Sequence, residues 1–189
     1  MRLFIAIELS VDIQAENSRL AREIGLYEYP GVRVVPTEKL HLTLKFIGDF
    51  DNRKMPELCV AIRKSITEVT SFMITLGSCG VFPSHGDVSV VWTGIRDETG
   101  MLSNLAKKID ETCMQFDIQK EKRSYTPHLT IARVRQECCD SDIIRKKVQL
   151  ATPKEITQTV NEIILFASDL QPTGSVYKVI ETFELSAKQ

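Results

Sequence analysis

Helices and strands arranged as two similar lobes, each giving one histidine-bearing strand to a shared groove, is the organisation this sequence predicts. Three observations lead there. The phrase His-Leu-Thr plus an aliphatic residue occurs twice, as His41-Leu42-Thr43-Leu44 and His128-Leu129-Thr130-Ile131, in a 189-residue chain with only three histidines. The two copies stand nearly half a chain apart. Each follows the same order of elements, a helix-period run, a loop and then the histidine strand.

The elements follow in order. Arg2 to Glu8 is apolar enough for a buried strand, and Ser10 then offers an N-cap for a helix over Val11 to Ile24 that stops at Gly25. Tyr29-Pro30-Gly31 is a turn, Val32 to Val35 a short strand, and Leu40 to Ile47 the first histidine strand, ending at Gly48-Asp49. Pro56 to Val69 reads as a helix with proline in its first turn. Phe72 to Leu76 and Val88 to Ile95 read as a long hairpin whose loop includes Gly80 to Asp87. Leu102, Leu105, Ile109 and Cys113 recur at helical spacing within Glu98 to Phe116, and a basic loop leads into the second histidine strand, Leu129 to Val134. A short helix over Asp142 to Leu150, a β-rich stretch over Ile156 to Phe166, and a last strand over Val176 to Leu185 complete the chain. No linker or low-complexity segment divides it, so residues 1–189 are expected to form a single bilobal domain.

The composition is that of an ordinary globular protein, 43% hydrophobic and 26% charged. The apolar start is interrupted by Glu8 and Asp12, too soon for a secretory or membrane-spanning segment. The five cysteines, two of them adjacent at Cys138 and Cys139, form no disulfide framework or zinc spacing, and a cytoplasmic location with no membrane partner is expected. A net charge of −1 argues against coating nucleic acid by bulk electrostatics. Any anionic ligand is met locally, and Lys120, Lys122, Arg123, Arg133 and Arg135 flank the second phrase.

Fifteen threonines in the chain make the pairing of two histidines with a threonine two positions on a chance event on the order of a few per cent. Strand alternation puts each histidine and its threonine on one face and the aliphatic pair on the other. An imidazole beside a hydroxyl is half of a site for phosphate chemistry, and two halves make a general acid and a general base. By the same parity Lys45 shares the face of His41 and Thr43, whereas Arg133, five residues beyond His128, falls on the opposite face unless a bulge intervenes. Trp92, in the Val88-Val90-Trp92 alternation, reads as core, His85 as an exposed loop residue, and Phe82 or Tyr125 as a candidate stacking face. His41 and His128 alone are an incomplete metal-ligand set, so no metal and no cofactor are expected. No phosphate-binding glycine loop is present.

With these residues in hand, the chain resembles the two-histidine (2H) phosphoesterases, in particular the RNA 2′,3′-cyclic phosphodiesterases also described as 2′-5′ RNA ligase-like proteins. The resemblance rests on Arg2 to Ile7, Glu38 to Gly48, Gly80-Val81-Phe82-Pro83 with Val91-Trp92, Tyr125 to Arg133, and Ser168-Asp169-Leu170 with Gly174 and Tyr177. It implies an α+β fold of two pseudo-symmetric lobes, with antiparallel sheets lining a central groove and helices packed outside. It implies metal-independent opening of an RNA 2′,3′-cyclic phosphate, or of a related cyclic nucleotide, to a 2′-phosphate by a monomer, with possible reversal as 2′-5′ ligation. His128 is then the base that activates water, His41 the acid on the departing ribose oxygen, and Thr43, Thr130 and Arg133 the phosphate contacts. The competing class is a non-catalytic RNA-end binder using the same groove.

Overall fold

The computed structural model describes residues 1–135, 140–171 and 174–187. Strand β1 (Arg2–Glu8) buries five consecutive residues, and helix α1 (Val11–Ile24) begins where the Ser10 hydroxyl accepts from the Ile13 amide. Gly25, at φ 77°, closes α1 by donating its N–H to the Ala21 and Arg22 carbonyls. Then come β2 (Val32–Val34), β3 (His41–Asp49), α2 (Met55–Ser65), β4 (Phe72–Phe82), β5 (Val90–Arg96), α3 (Met101–Met114), β6 (His128–Val134), α4 (Ser141–Leu150), β7 (Thr157–Val160), β8 (Glu162–Gln171) and β9 (Gly174–Glu184). None of these helices is long and apolar enough to cross a membrane. The adjacent Cys138 and Cys139 lie outside the described residues.

The expected α+β fold with two antiparallel sheets is present. One sheet runs β3-β1-β8-β9 and the other β2-β6-β5-β4-β7. The lobes are interleaved in sequence, because β2 joins the second sheet while the C-terminal β8 and β9 complete the first. Helices α2 and α3 pack on each other, with α3 against β3, while α1 lies on β6 and α4 on β4. Leu42, Leu44, Leu58, Ile62, Leu105 and Ile109 belong to the larger core, and Leu20, Ile24, Val91, Ile131, Ile144 and Val148 to the second.

Strand β4 runs on to Phe82, because Gly80, Val81 and Phe82 pair with β5 where a loop was expected from Gly80, and three further boundaries differ from the sequence expectation, each because a distant partner captures the backbone. Helix α2 ends at Ser65 rather than Val69, since Ser186 donates to the Val69 carbonyl and Thr70 bridges to Ser186. Helix α3 starts late because the Asp97 carboxylate accepts from the Thr99 and Leu102 amides, forming a capping turn ahead of Gly100. The expected single stretch over 156–166 divides at Asn161 into β7, paired with β4, and β8, paired with β1.

A matched irregularity in the two histidine strands shapes the site. In β3 the register against β1 passes from Ala6 opposite Thr43 to Ile5 opposite Lys45, leaving Leu44 as an extra residue. In β6 it passes from Trp92 opposite Thr130 to Val91 opposite Ala132, leaving Ile131 extra. Burial records the same event, with Leu44 and Lys45 buried in succession, as are Ile131 and Ala132. Lys45 therefore does not share the face of His41, contrary to strict alternation. It is 6% exposed, pairs with Asp110 of α3 at 2.6 Å and donates to the Gln119 carbonyl at 2.7 Å.

The Lys45 ammonium thus ties the back of the first histidine strand to α3 and to the loop that leads to the second. Removing one partner of a buried pair leaves the other uncompensated, so Lys45→Met is expected to cost about 3 kcal/mol in urea unfolding. A loss below about 1 kcal/mol would show that this tie contributes little.

Candidate active site

His41 opens β3 and His128 opens β6, and these two strands approach each other although they belong to different sheets. Each imidazole is braced in the same way. The His41 Nδ1 lies 2.8 Å from the Lys39 carbonyl, and the His128 Nδ1 lies 2.7 Å from the Thr126 carbonyl. A carbonyl only accepts, so each Nδ1 carries the proton that it donates, and each Nε2 is left for chemistry. The brace comes from the residue two positions upstream both times, and in each case the chain enters the strand from a non-strand segment.

The surroundings of the two rings differ. His41 packs against Phe4 at a centroid distance of 4.8 Å and meets Tyr177 edge-on at 5.3 Å. Phe166 stacks on Phe4 from the other side, so His41 sits on an aromatic bed. Burial pushes the His41 pKa below its ordinary value, the Lys39 carbonyl opposes that shift, and the nearby positive charge of Arg133 adds to it. His128 meets the edge of Phe82 at 5.2 Å and that of Trp92 at 6.3 Å.

Thr43 and Thr130 keep the parity of their histidines and are half-buried on the same face. Arg133 joins them. The extra residue at Ile131 supplies the bulge that strict alternation lacked, and Arg133 is exposed on the side of His128 and Thr130 rather than in the core. Its charge is felt at His41, in the other lobe. All five residues singled out in the sequence, His41, Thr43, His128, Thr130 and Arg133, therefore lie on the facing sides of the two histidine strands.

Other expectations need correction. Trp92 is not core. It pairs across from Thr130 on the site face, where Gly80 opposite it has no side chain and leaves room for the indole. Tyr125 is not free to stack, because its buried hydroxyl donates to the Thr43 carbonyl at 3.0 Å, and burial holds its pKa well above the usual phenol range. That bond links the segment before His128 to the strand of His41 and so couples the two phrases directly. His85 is exposed in a bend, as expected. The sequence assigns no role to Phe4 or Tyr177; Phe4 is an aromatic in a strand buried on both faces, and Tyr177 is half-buried in β9.

Two hollows of about 430 and 410 Å³ open elsewhere on the surface, and neither is lined by a site histidine. Among the described residues no group of three or more His, Cys, Asp or Glu side chains is placed to hold a metal ion. What the arrangement offers is two imidazoles with pinned tautomers, two hydroxyls and a guanidinium around one space, the parts of a proton-transfer site acting on an anion.

Comparisons with known proteins bear on the family and the fold. The family described as LigT-like phosphoesterase matches residues 7–92 and 95–177. Proteins named RNA 2′,3′-cyclic phosphodiesterase are 31% identical in Archaeoglobus fulgidus, covering 97% of this chain and 100% of theirs, and 32% identical in Methanocaldococcus jannaschii, covering 96% and 99%. Among solved structures, a Thermus thermophilus protein superposes with a TM-score of 0.81 at 24% identity over the whole of both chains. Escherichia coli LigT in complex with 3′-AMP superposes at 0.76 and 24% identity, covering 97% of each chain.

The environments of the rings set an expected NMR result. In the free protein both histidines should show the Nδ1–H tautomer when neutral, and His41 should titrate below the ordinary value of about 6.5. Arg133→Gln removes a positive neighbour and should move the His41 titration upward. A His41 titration at or above 6.5 in the wild type, or no response to Arg133→Gln, would contradict this electrostatic picture.

Proposed function

Since this chain belongs to the LigT-like phosphoesterases and is, like its relatives, a cyclic phosphodiesterase, we propose that it opens the 2′,3′-cyclic phosphate at an RNA end, without a metal, to leave a 2′-phosphate. The observation that supports this most is the identical Nδ1 brace on two histidines entering neighbouring strands, which leaves two Nε2 atoms for one reacting phosphorus. His128 Nε2 takes a proton from water as the oxygen attacks phosphorus. The P–O3′ bond breaks opposite the attack, and His41 Nε2–H protonates the departing O3′. The product carries a 2′-phosphate and a free 3′-hydroxyl. Water has supplied the new P–O bond, and its second proton is shared between phosphate and solvent.

The threonine hydroxyls donate to the non-bridging oxygens and hold phosphorus in line between the imidazoles, while Arg133 offsets the negative charge. With a 5′-hydroxyl in place of water, the same pair joins the cyclic phosphate to a second RNA end as a 2′-5′ linkage: O5′ bonds to phosphorus and gives its proton to His128, the P–O3′ bond breaks, and His41 protonates O3′. The lowered His41 pKa has a consequence for the acid role. Burial and Arg133 disfavour protonated His41, and an anionic phosphate in the groove acts in the opposite direction.

The test is a product-resolved assay on an oligoribonucleotide ending in a 2′,3′-cyclic phosphate, in excess EDTA. Wild type should release the 2′-phosphate, and His41→Ala or His128→Ala should each lower kcat by roughly 10²-fold or more. RNA binding that survives both substitutions, with no turnover at any pH, would favour the non-catalytic end binder instead. Rates within a few-fold of wild type would remove the acid-base assignment.

The pH profile fixes the direction of proton flow. kcat/KM reports the free enzyme, and an acid must be protonated, so activity should be lost as pH rises through the lowered His41 pKa. Arg133→Gln raises that pKa, and the alkaline limb should move to higher pH. Movement of the acidic limb instead would make His41 the base.

A further inference from the structure

Strand β2 lies at the edge of the five-stranded sheet and pairs only with β6. Its middle residue, Arg33, is directly opposite Arg133. Cross-strand partners in an antiparallel pair project to the same face. Val32 and Val34 pack on the second core, so Arg33 is turned to the opposite face, which is the face of His128, Thr130 and Arg133. Two guanidiniums directly opposite repel each other and destabilise the pairing, and among the described residues neither is in an ion pair. A like-charged pair of this kind beside a phosphate site is relieved by an anion.

The positions of the two arginines divide their targets. Arg133 is on the histidine strand itself and close enough to bias His41. Arg33 is displaced from Thr130 by one strand spacing across the sheet and about one pleat along it, on the order of 8 Å between backbone positions. Arg33 thus stands one strand spacing farther from the histidine strand than Arg133, and its offset from Thr130 has the scale of one nucleotide step. In an RNA ending in a cyclic phosphate, the only neighbouring phosphate lies on the 5′ side of the terminal ribose.

Building on the cyclic-phosphodiesterase reading above, we propose that Arg33 forms a second phosphate subsite that holds the 5′-side phosphodiester of the terminal nucleotide. The groove then reads chain as well as end. A nucleoside 2′,3′-cyclic monophosphate fills only the first subsite, and a dinucleotide with the same end fills both. The contact is a charge-assisted hydrogen bond to a backbone phosphate, so it carries no base preference.

The experiment compares three cyclic-phosphate substrates with one base: the nucleoside, the same nucleoside bearing a 5′-phosphate, and a dinucleotide. Wild type should prefer the second and third over the first in kcat/KM. Arg33→Ala should shrink that preference about tenfold, and Arg33→Lys should retain part of it. As a ratio within one preparation, the preference is insensitive to the fraction of protein folded. The salt slope of log Kd for the dinucleotide 2′-phosphate product should also flatten by about 0.7 in Arg33→Ala.

No gain from the 5′-phosphate in wild type would overturn the subsite, as would a preference that Arg33→Ala leaves in place, the behaviour of an arginine that merely protects a sheet edge. If none of the three substrates is turned over, the cyclic-phosphodiesterase reading fails. The Kd comparison between nucleoside and dinucleotide 2′-phosphates then still decides the subsite by itself.

Discussion

A matched extra residue three positions after each histidine, Leu44 in β3 and Ile131 in β6, governs the arrangement of this molecule. Without the bulges at Leu44 and Ile131, alternation would carry the fifth residue after each histidine into the core. It would also turn Lys45 into the groove and Arg133 out of it. With them, two consecutive residues of each strand are buried and the fifth residue returns to the histidine side. The two strands are alike to this point and then differ in chemistry, because Phe46 occupies in β3 the place that Arg133 occupies in β6. The groove is therefore aromatic on the lobe of His41, with Phe4, Phe46 and Tyr177, and cationic on the lobe of His128, with Arg33 and Arg133.

That polarity suits a nucleotide, which has both an apolar face and an anionic edge. It also makes the two imidazoles unequal without changing their bracing. Nδ1 is pinned to a carbonyl in both, so the tautomer is common, while burial and the charge of Arg133 act on His41. In the free protein this favours the neutral form of His41, so the acid role proposed for that ring depends on a bound anion working in the opposite direction. The link between lobes is short-range and polar. The Tyr125 hydroxyl reaches the Thr43 carbonyl, and the Lys45 ammonium reaches Asp110 and the Gln119 carbonyl, so both ties end on the connection between α3 and β6.

Much of this was legible from the chain. The repeated phrase located His41, Thr43, His128 and Thr130 on the correct face because two-residue periodicity holds up to the bulges. First strand, first helix and histidine strands were legible because capping serine, stop glycine and apolar runs all act locally. What escaped depends on partners far away in sequence. Nothing beside Lys45 announces Asp110, nothing in the run from Ile156 to Phe166 announces that Asn161 passes the chain from one sheet to the other, and the role of Arg33 appears only when β2 is seen paired with β6. The apolar doublet Ile131-Ala132 was the one local sign of a bulge, since two adjacent buried residues break alternation.

Two imidazoles that address one phosphorus from opposite sides would be visible in a crystal structure with a nucleoside vanadate, the five-coordinate mimic of the opening cyclic phosphate. The Nε2 atoms of His41 and His128 should lie within about 2.6–3.2 Å of opposite apical oxygens, with the Thr43 and Thr130 hydroxyls on equatorial oxygens. A vanadate bound with either imidazole turned away, or with both on the same side of the metal oxide, would contradict it.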